Sequence, residues 1–83
     1  MKYLFRASAE KKFAKLNSQI QDRIIKKLEF FISTVNPLDF AEPLTHHEIG
    51  QYRFRIGDYR IIFDMENDTI VVLTVGHRRE IYK

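Results

Sequence analysis

The sequence predicts an α+β fold: a small antiparallel, twisted sheet of about four strands in β-α-α-β-β-β order, with two N-terminal helices packed on one side. Three observations carry this. Apolar residues between Ala9 and Val35 recur every three to four positions, the spacing of a helix. From Gln51 onward the repeat shortens to two, the spacing of a strand. Turn chemistry at Asn17-Ser18, Asn36-Pro37, Gly57-Asp58 and Glu66-Asn67-Asp68 separates the segments. Eighty-three residues suffice for one domain, residues 1–83.

Residues 2–6 read as a strand, with Tyr3 and Phe5 alternating with Leu4 and Arg6. Ser8 is expected to cap a first helix. Ala9, Phe13 and Leu16 line its inner side while Glu10, Lys11, Lys12 and Lys15 face water. Asn17-Ser18 breaks that helix, and Ser18 with Gln21 reads as a capping box that opens a second one. Ile20, Ile24, Leu28, Phe31 and Val35 form its buried stripe, widened by Ile25 and Ile32, with Lys26 and Lys27 on the solvated face. Proline has no backbone N–H to continue the ladder, so Asn36-Pro37 stops the helix.

Leu38 to Gly50 has no clean period and reads as a loop packed through Phe40 and Leu44. Tyr52, Phe54 and Ile56 then alternate with Arg53 and Arg55 in a strand that turns at Gly57-Asp58. Tyr59 to Asp64 is the return strand. Thr69 to Val75, apolar on both sides, reads as a central strand ended by Gly76. HRREIYK is a tail with room for a very short strand. Two helices bury their stripes on one sheet face, so the other face is expected to be open.

Composition bounds the chemistry. Hydrophobic residues make up 45% of the chain and aromatics 13%, which supports a packed core. The absence of cysteine excludes disulfides, cysteine-ligated metal and thiol catalysis. MKYLFRA lacks the apolar run of a signal peptide, and the longest apolar run elsewhere is Ile70 to Leu73, too short to span a bilayer. A cytoplasmic protein with no membrane association is expected.

The formal net charge is only +3, but the basic residues are sorted by type. Six of seven lysines fall within the first 27 residues, whereas five of seven arginines, Arg53, Arg55, Arg60, Arg78 and Arg79, fall within the last 33. Arg53 and Arg55 share one strand face, and Arg60 can approach them across the hairpin. Guanidinium forks suit phosphate, so an RNA or DNA backbone is the natural ligand. The ordinary alternatives stay open: edge-protecting charge for Arg53 and Arg55, and an ion pair with Asp58, Asp64 or Glu80 for Arg60 and Arg78. His77 can exchange protons near neutral pH or serve as a surface or capping residue. Tyr82 is either a stacking platform or an anchor of the tail. His46, His47 and Glu48 have no recognised chelating spacing, so neither a metal nor any other cofactor is expected.

These segments carry a family likeness. PLTHHEIGQYRFRIGDYRIIF followed by VVLTVGHRREIYK, behind an N-terminal strand and helical hairpin, resembles the RelE/ParE toxin superfamily, and within it the RelE-type messenger RNA endonucleases. The likeness spans essentially the whole chain. It implies a ribosome-dependent toxin that cuts messenger RNA in the ribosomal A site, held inactive by an acidic, RelB-like antitoxin. By resemblance, Arg53 and Arg55 match the basic residues before the hairpin, where the best-known member carries lysines. Arg60 matches the contact to the scissile phosphate, Arg78 the stabiliser of the leaving group, and Tyr82 the tyrosine that stacks on a base.

Arginine is a poor general base, so His77 is expected to take over proton transfer. The expected reaction is metal-free transesterification by the RNA 2′-hydroxyl. The alternatives are a ParE-like inhibitor of DNA gyrase without nuclease activity, or a non-catalytic module that binds the antitoxin.

Overall fold

In the computed structural model, which describes residues 1–45 and 49–82, the elements are β1 (Lys2–Phe5), α1 (Ala7–Ala14), α2 (Ser18–Ser33), a 3-10 turn (Pro37–Phe40), β2 (Ala41–Pro43), β3 (Tyr52–Ile56), β4 (Tyr59–Glu66) and β5 (Thr69–His77). The strands form one five-stranded sheet in the order β1-β5-β4-β3-β2. β2, β3, β4 and β5 pair antiparallel, but β1 runs parallel to β5, so the sheet is mixed. The expected α+β arrangement is present, with one more strand than expected and one parallel pairing.

The two helices lie over one face. Ala9 from α1 and Ile24, Leu28 and Phe31 from α2 pack on Phe54, Ile56, Ile61, Phe63, Ile70, Val72 and Val75 from the sheet. Phe54 is stacked between Phe31 and Phe63, with both ring centroids 4.4 Å away. This aromatic column concentrates apolar burial where a chain of this size most needs it.

The helix ends differ from expectation in an instructive way. Ser8 lies inside α1, and Arg6 stands at its N-cap without a side-chain cap. Asn17, not Ser18, caps α2: its Oδ1 accepts a hydrogen bond from the Ile20 N–H at 2.9 Å. Gln21 does not complete a capping box but turns back to α1. Its Nε2 donates to the carbonyls of Phe13 and Leu16, both at 3.0 Å, so it satisfies the end of the preceding helix. Val35 is fully exposed because α2 has already ended at Ser33.

The segment expected to be a loop contains the 3-10 turn and β2, and β5 continues through Gly76 to His77. Residues 78–82 form turns instead of a short strand, with the N–H groups of Glu80 and Ile81 donating to the His77 carbonyl. The second sheet face is not left open. Its apolar residues Ile62 and Val71 are buried, and Gly50 packs against Ile62 and Leu73. Gly50 sits so close that a Cβ there would stand 2.6 Å from Ile62 Cγ2, and its φ of +149° also favours glycine. Gln51 pins this cover at both ends: its N–H donates to Asp64, and its side-chain oxygen accepts from the Met65 N–H.

Candidate functional site: an arginine cluster with a carboxylate

The site grows from strand register. Glu42 on β2 pairs with Arg53 on β3, and Arg55 pairs with Arg60 on β4. Directly paired residues present their side chains on the same face, so these four share the face away from the helices. Arg60 in turn pairs with Gly76 on β5, where a Cβ would stand 3.4 Å from Ile81 Cδ1.

Glu42 holds the arginines together. Its Oε2 accepts from Arg53 Nη2 at 3.1 Å, and its Oε1 lies 3.6 Å from Arg55 Nε. The Arg53 hydrogen bond, helped by the pull of Arg53, Arg55 and Arg60, holds the Glu42 carboxyl below the usual carboxylate range against the opposing effect of burial. The same bond raises Arg53 above its ordinary value. Arg53 is also the anchor of the tail. Its Nη1 donates to the Tyr82 hydroxyl at 2.8 Å, and its guanidinium lies 5.9 Å from the Tyr82 ring centroid. Arg53 Nε is buried without a hydrogen-bond partner.

Arg60 is only 6% exposed. Its Nη1 donates to the carbonyls of Gly57 at 2.9 Å and Tyr59 at 3.0 Å, which locks the hairpin. Arg78 takes one of its ordinary roles: its Nε is 3.6 Å from Asp58 Oδ1, and its N–H donates to the Asp58 carbonyl at 2.7 Å. His77 pairs with Tyr59, and the two rings meet edge to face at 5.4 Å. Tyr59 packs against the helical core, so His77 turns to the opposite side of the sheet from the arginine trio. Its Nδ1 accepts from the Arg79 N–H at 3.1 Å, which leaves Nε2 as the nitrogen that carries hydrogen in the neutral ring.

The structure thus brings Arg53, Arg55, Arg60 and Tyr82 together, and sets His77 and Arg78 at the end of β5. Glu42 is the addition that sequence reasoning missed. The signal was its neighbour Pro43, which fits an edge strand. His46, His47 and Glu48 lie outside the described residues. Among the described residues no group of three histidine or acidic side chains stands close enough to hold a metal ion, and no helix is long and apolar enough to cross a membrane.

The family model for the ParE toxin of the type II toxin–antitoxin system, parDE, matches residues 3–82. The chain belongs to the RelE/ParE toxin superfamily. Among RelE/ParE relatives, it is similar to Toxin RelG of Mycobacterium tuberculosis, at 31% identity over 95% of this chain and 92% of that protein. The RelBE2 toxin–antitoxin complex of the same organism matches with a TM-score of 0.75 and 26% identity, over 93% of this chain and 96% of that one. The RelB-RelE complex of Methanococcus jannaschii matches with a TM-score of 0.74 and 28% identity, over 96% and 95%. A stretch of 49 residues is also 43% identical to nucleoporin NUP170 of Saccharomyces cerevisiae, covering 57% of this chain but only 3% of that protein. The superfamily's toxins therefore match nearly end to end, whereas the nucleoporin likeness is confined to a fragment.

Proposed function

We propose that this RelE/ParE member is the toxin of a type II toxin–antitoxin system and a ribosome-dependent endoribonuclease acting on messenger RNA in the A site. The observation that supports this is the trio Arg53, Arg55 and Arg60 on one sheet face with a carboxylate and a phenol among them. Arg53 and Arg55 hold the phosphate. The Nε–Nη2 edge of Arg60 adds charge where the phosphorane develops, since its hairpin bonds engage Nη1.

The RNA 2′-oxygen attacks the adjacent phosphorus and the bond to the 5′-oxygen breaks, leaving a 2′,3′-cyclic phosphate and a 5′-hydroxyl. Glu42 takes the 2′-hydroxyl proton. As phosphate claims the Arg53 and Arg55 donors, the carboxylate loses the bond that keeps it weakly basic, so substrate binding raises its basicity. Arg78, at the end of β5, supplies charge to the 5′-oxygen, which takes its proton from water, since His77 turns to the other side of the sheet. Tyr82 releases Arg53 and stacks on a base. The chain's own guanidinium groups supply the positive charge this reaction needs.

The partner is an acidic, RelB-like antitoxin. This follows the solved relatives, which are toxins in complex with their antitoxins. A second reading, a ParE-like gyrase inhibitor without nuclease activity, draws on the parDE description of the matching family model. Mapping messenger RNA 5′ ends after induction separates the two. Cuts within translated codons are expected; intact messages together with blocked supercoiling by purified gyrase would favour the second reading.

A further inference from the structure

We propose that Asp58 is a positioning residue for Arg78, holding that guanidinium for the leaving oxygen from the same turn that Arg60 grips. This deepens the endoribonuclease reading and rests on it. The strand register leads to the pair. Arg60 pairs with Gly76 and Tyr59 with His77, and one step further Asp58 stands opposite Arg78. There the Arg78 N–H donates to the Asp58 carbonyl at 2.7 Å, and Arg78 Nε lies 3.6 Å from Asp58 Oδ1. One residue thus fixes both the main chain of Arg78 and the root of its fork. The ion pair uses Nε and leaves the two terminal nitrogens for the 5′-oxygen.

The turn is a bracket between two arginines. Arg60 Nη1 takes the carbonyls of Gly57 and Tyr59, and Arg78 takes the carbonyl and carboxylate of Asp58 between them. Gly57 sits at φ +60°, which lets the chain reverse tightly enough for all these bonds. Gly57, Asp58 and Tyr59 therefore set the spacing between the charge at the phosphorane and the charge at the leaving oxygen. The Arg78 and Asp58 side chains are 54% and 64% exposed, and an ion pair so open to water adds little stability. Its effect is on direction, where a displacement of about 1 Å can cost on the order of 10² in rate.

The test compares kcat and KM on programmed ribosomes for Asp58→Ala, Asp58→Asn, Arg78→Ala and the Asp58→Ala/Arg78→Ala double variant, each melted beside the wild type. Asp58→Ala is expected to melt close to the wild type and to lose about tenfold in kcat with KM unchanged. Asp58→Asn keeps an acceptor oxygen and should recover part of the rate. In the double variant the Asp58→Ala change should add nothing to the loss from Arg78→Ala, because Asp58 acts through that side chain. In ¹⁵N NMR spectra the Arg78 Nε–H signal should move toward that of a solvated arginine in Asp58→Ala.

An equal Asp58→Ala loss with and without the Arg78 side chain would overturn the positioning role, as would a change in KM alone. Faster cleavage by Asp58→Ala would also overturn it, since the carboxylate would then compete for Arg78. The NMR signal needs no cleavage, so failure of the endoribonuclease reading stays distinguishable. Uncut messages with an Arg78 signal that still responds to Asp58→Ala would refute the nuclease and leave the bracket in place.

Discussion

Replacement of Arg60 by alanine carries two separable consequences, one for the hairpin and one for the phosphate. The guanidinium is almost fully buried, and its Nη1 serves two hairpin carbonyls, those of Gly57 and Tyr59, at 2.9 and 3.0 Å. A hydrogen bond from a charged donor contributes about 1.5–3 kcal/mol net. One nitrogen shared between two acceptors counts as little more than one bond. The Gly57 carbonyl also lies at an exposed turn, where water replaces part of the loss. A cost of about 2 kcal/mol is therefore expected, which for a domain of this size lowers Tm by roughly 8–16 °C.

Circular dichroism melts read that term. Cleavage by purified protein on programmed ribosomes, well below the variant's Tm, reads the other and should fall by about 10²–10³, as for loss of one donor to a developing oxyanion. Arg60→Lys retains charge but not the fork, so it should recover part of the stability and little of the rate. A variant that melts with the wild type would refute the hairpin clamp. A folded Arg60→Ala chain that cuts at the wild-type rate would remove Arg60 from the phosphate.

Glu42→Gln should slow cleavage while leaving phosphate binding in place, because an amide cannot accept the 2′-hydroxyl proton as a carboxylate does; an unchanged rate would refute Glu42 as the base. The same variant has a signature in pH. The folded carboxyl is depressed, so its stabilising contribution is present above the usual carboxylate range and is lost as pH falls through the folded value. The Tm difference between wild type and Glu42→Gln should accordingly shrink on acidification below about pH 4, as thermal melts across pH would report. Phe54→Ala removes the middle ring of the Phe31–Phe54–Phe63 column and should cost about 3–5 kcal/mol, read by urea titration; a loss under about 1 kcal/mol would mean the column is not the centre of the core.

Local patterns in the sequence reached the helices and the hairpin because their determinants are local. The helical stripe through Ile24, Leu28 and Phe31 and the alternation of Phe54 and Ile56 each follow from a short-range period. The parallel pairing of β1 with β5 joins Tyr3 to Ile70, and no local pattern encodes a partner that far along the chain. β2 is three residues long and contains Pro43, too short to display a period of two. The cover over the second face was missed for a related reason. Ile62 was legible as apolar on a side assumed to be open, and no local pattern places Gly50 against it.

The candidate site shows the same division. Arg53, Arg55 and Arg60 could be grouped from alternation and a tight turn, whereas Glu42 joins them only through the β2–β3 register. That omission changes the electrostatic argument. Three guanidinium groups alone would repel one another and wait for an anion, but the fold supplies an internal carboxylate that neutralises part of this charge. Its strand position would keep it beside a phosphate that took its place in the proposed reaction. In the proposed reaction one group thus serves twice, as the counter-ion that holds Arg53 and Arg55 and as the base released when substrate takes those donors. A histidine facing Tyr59 on the other side of the sheet can perform neither task from its observed position.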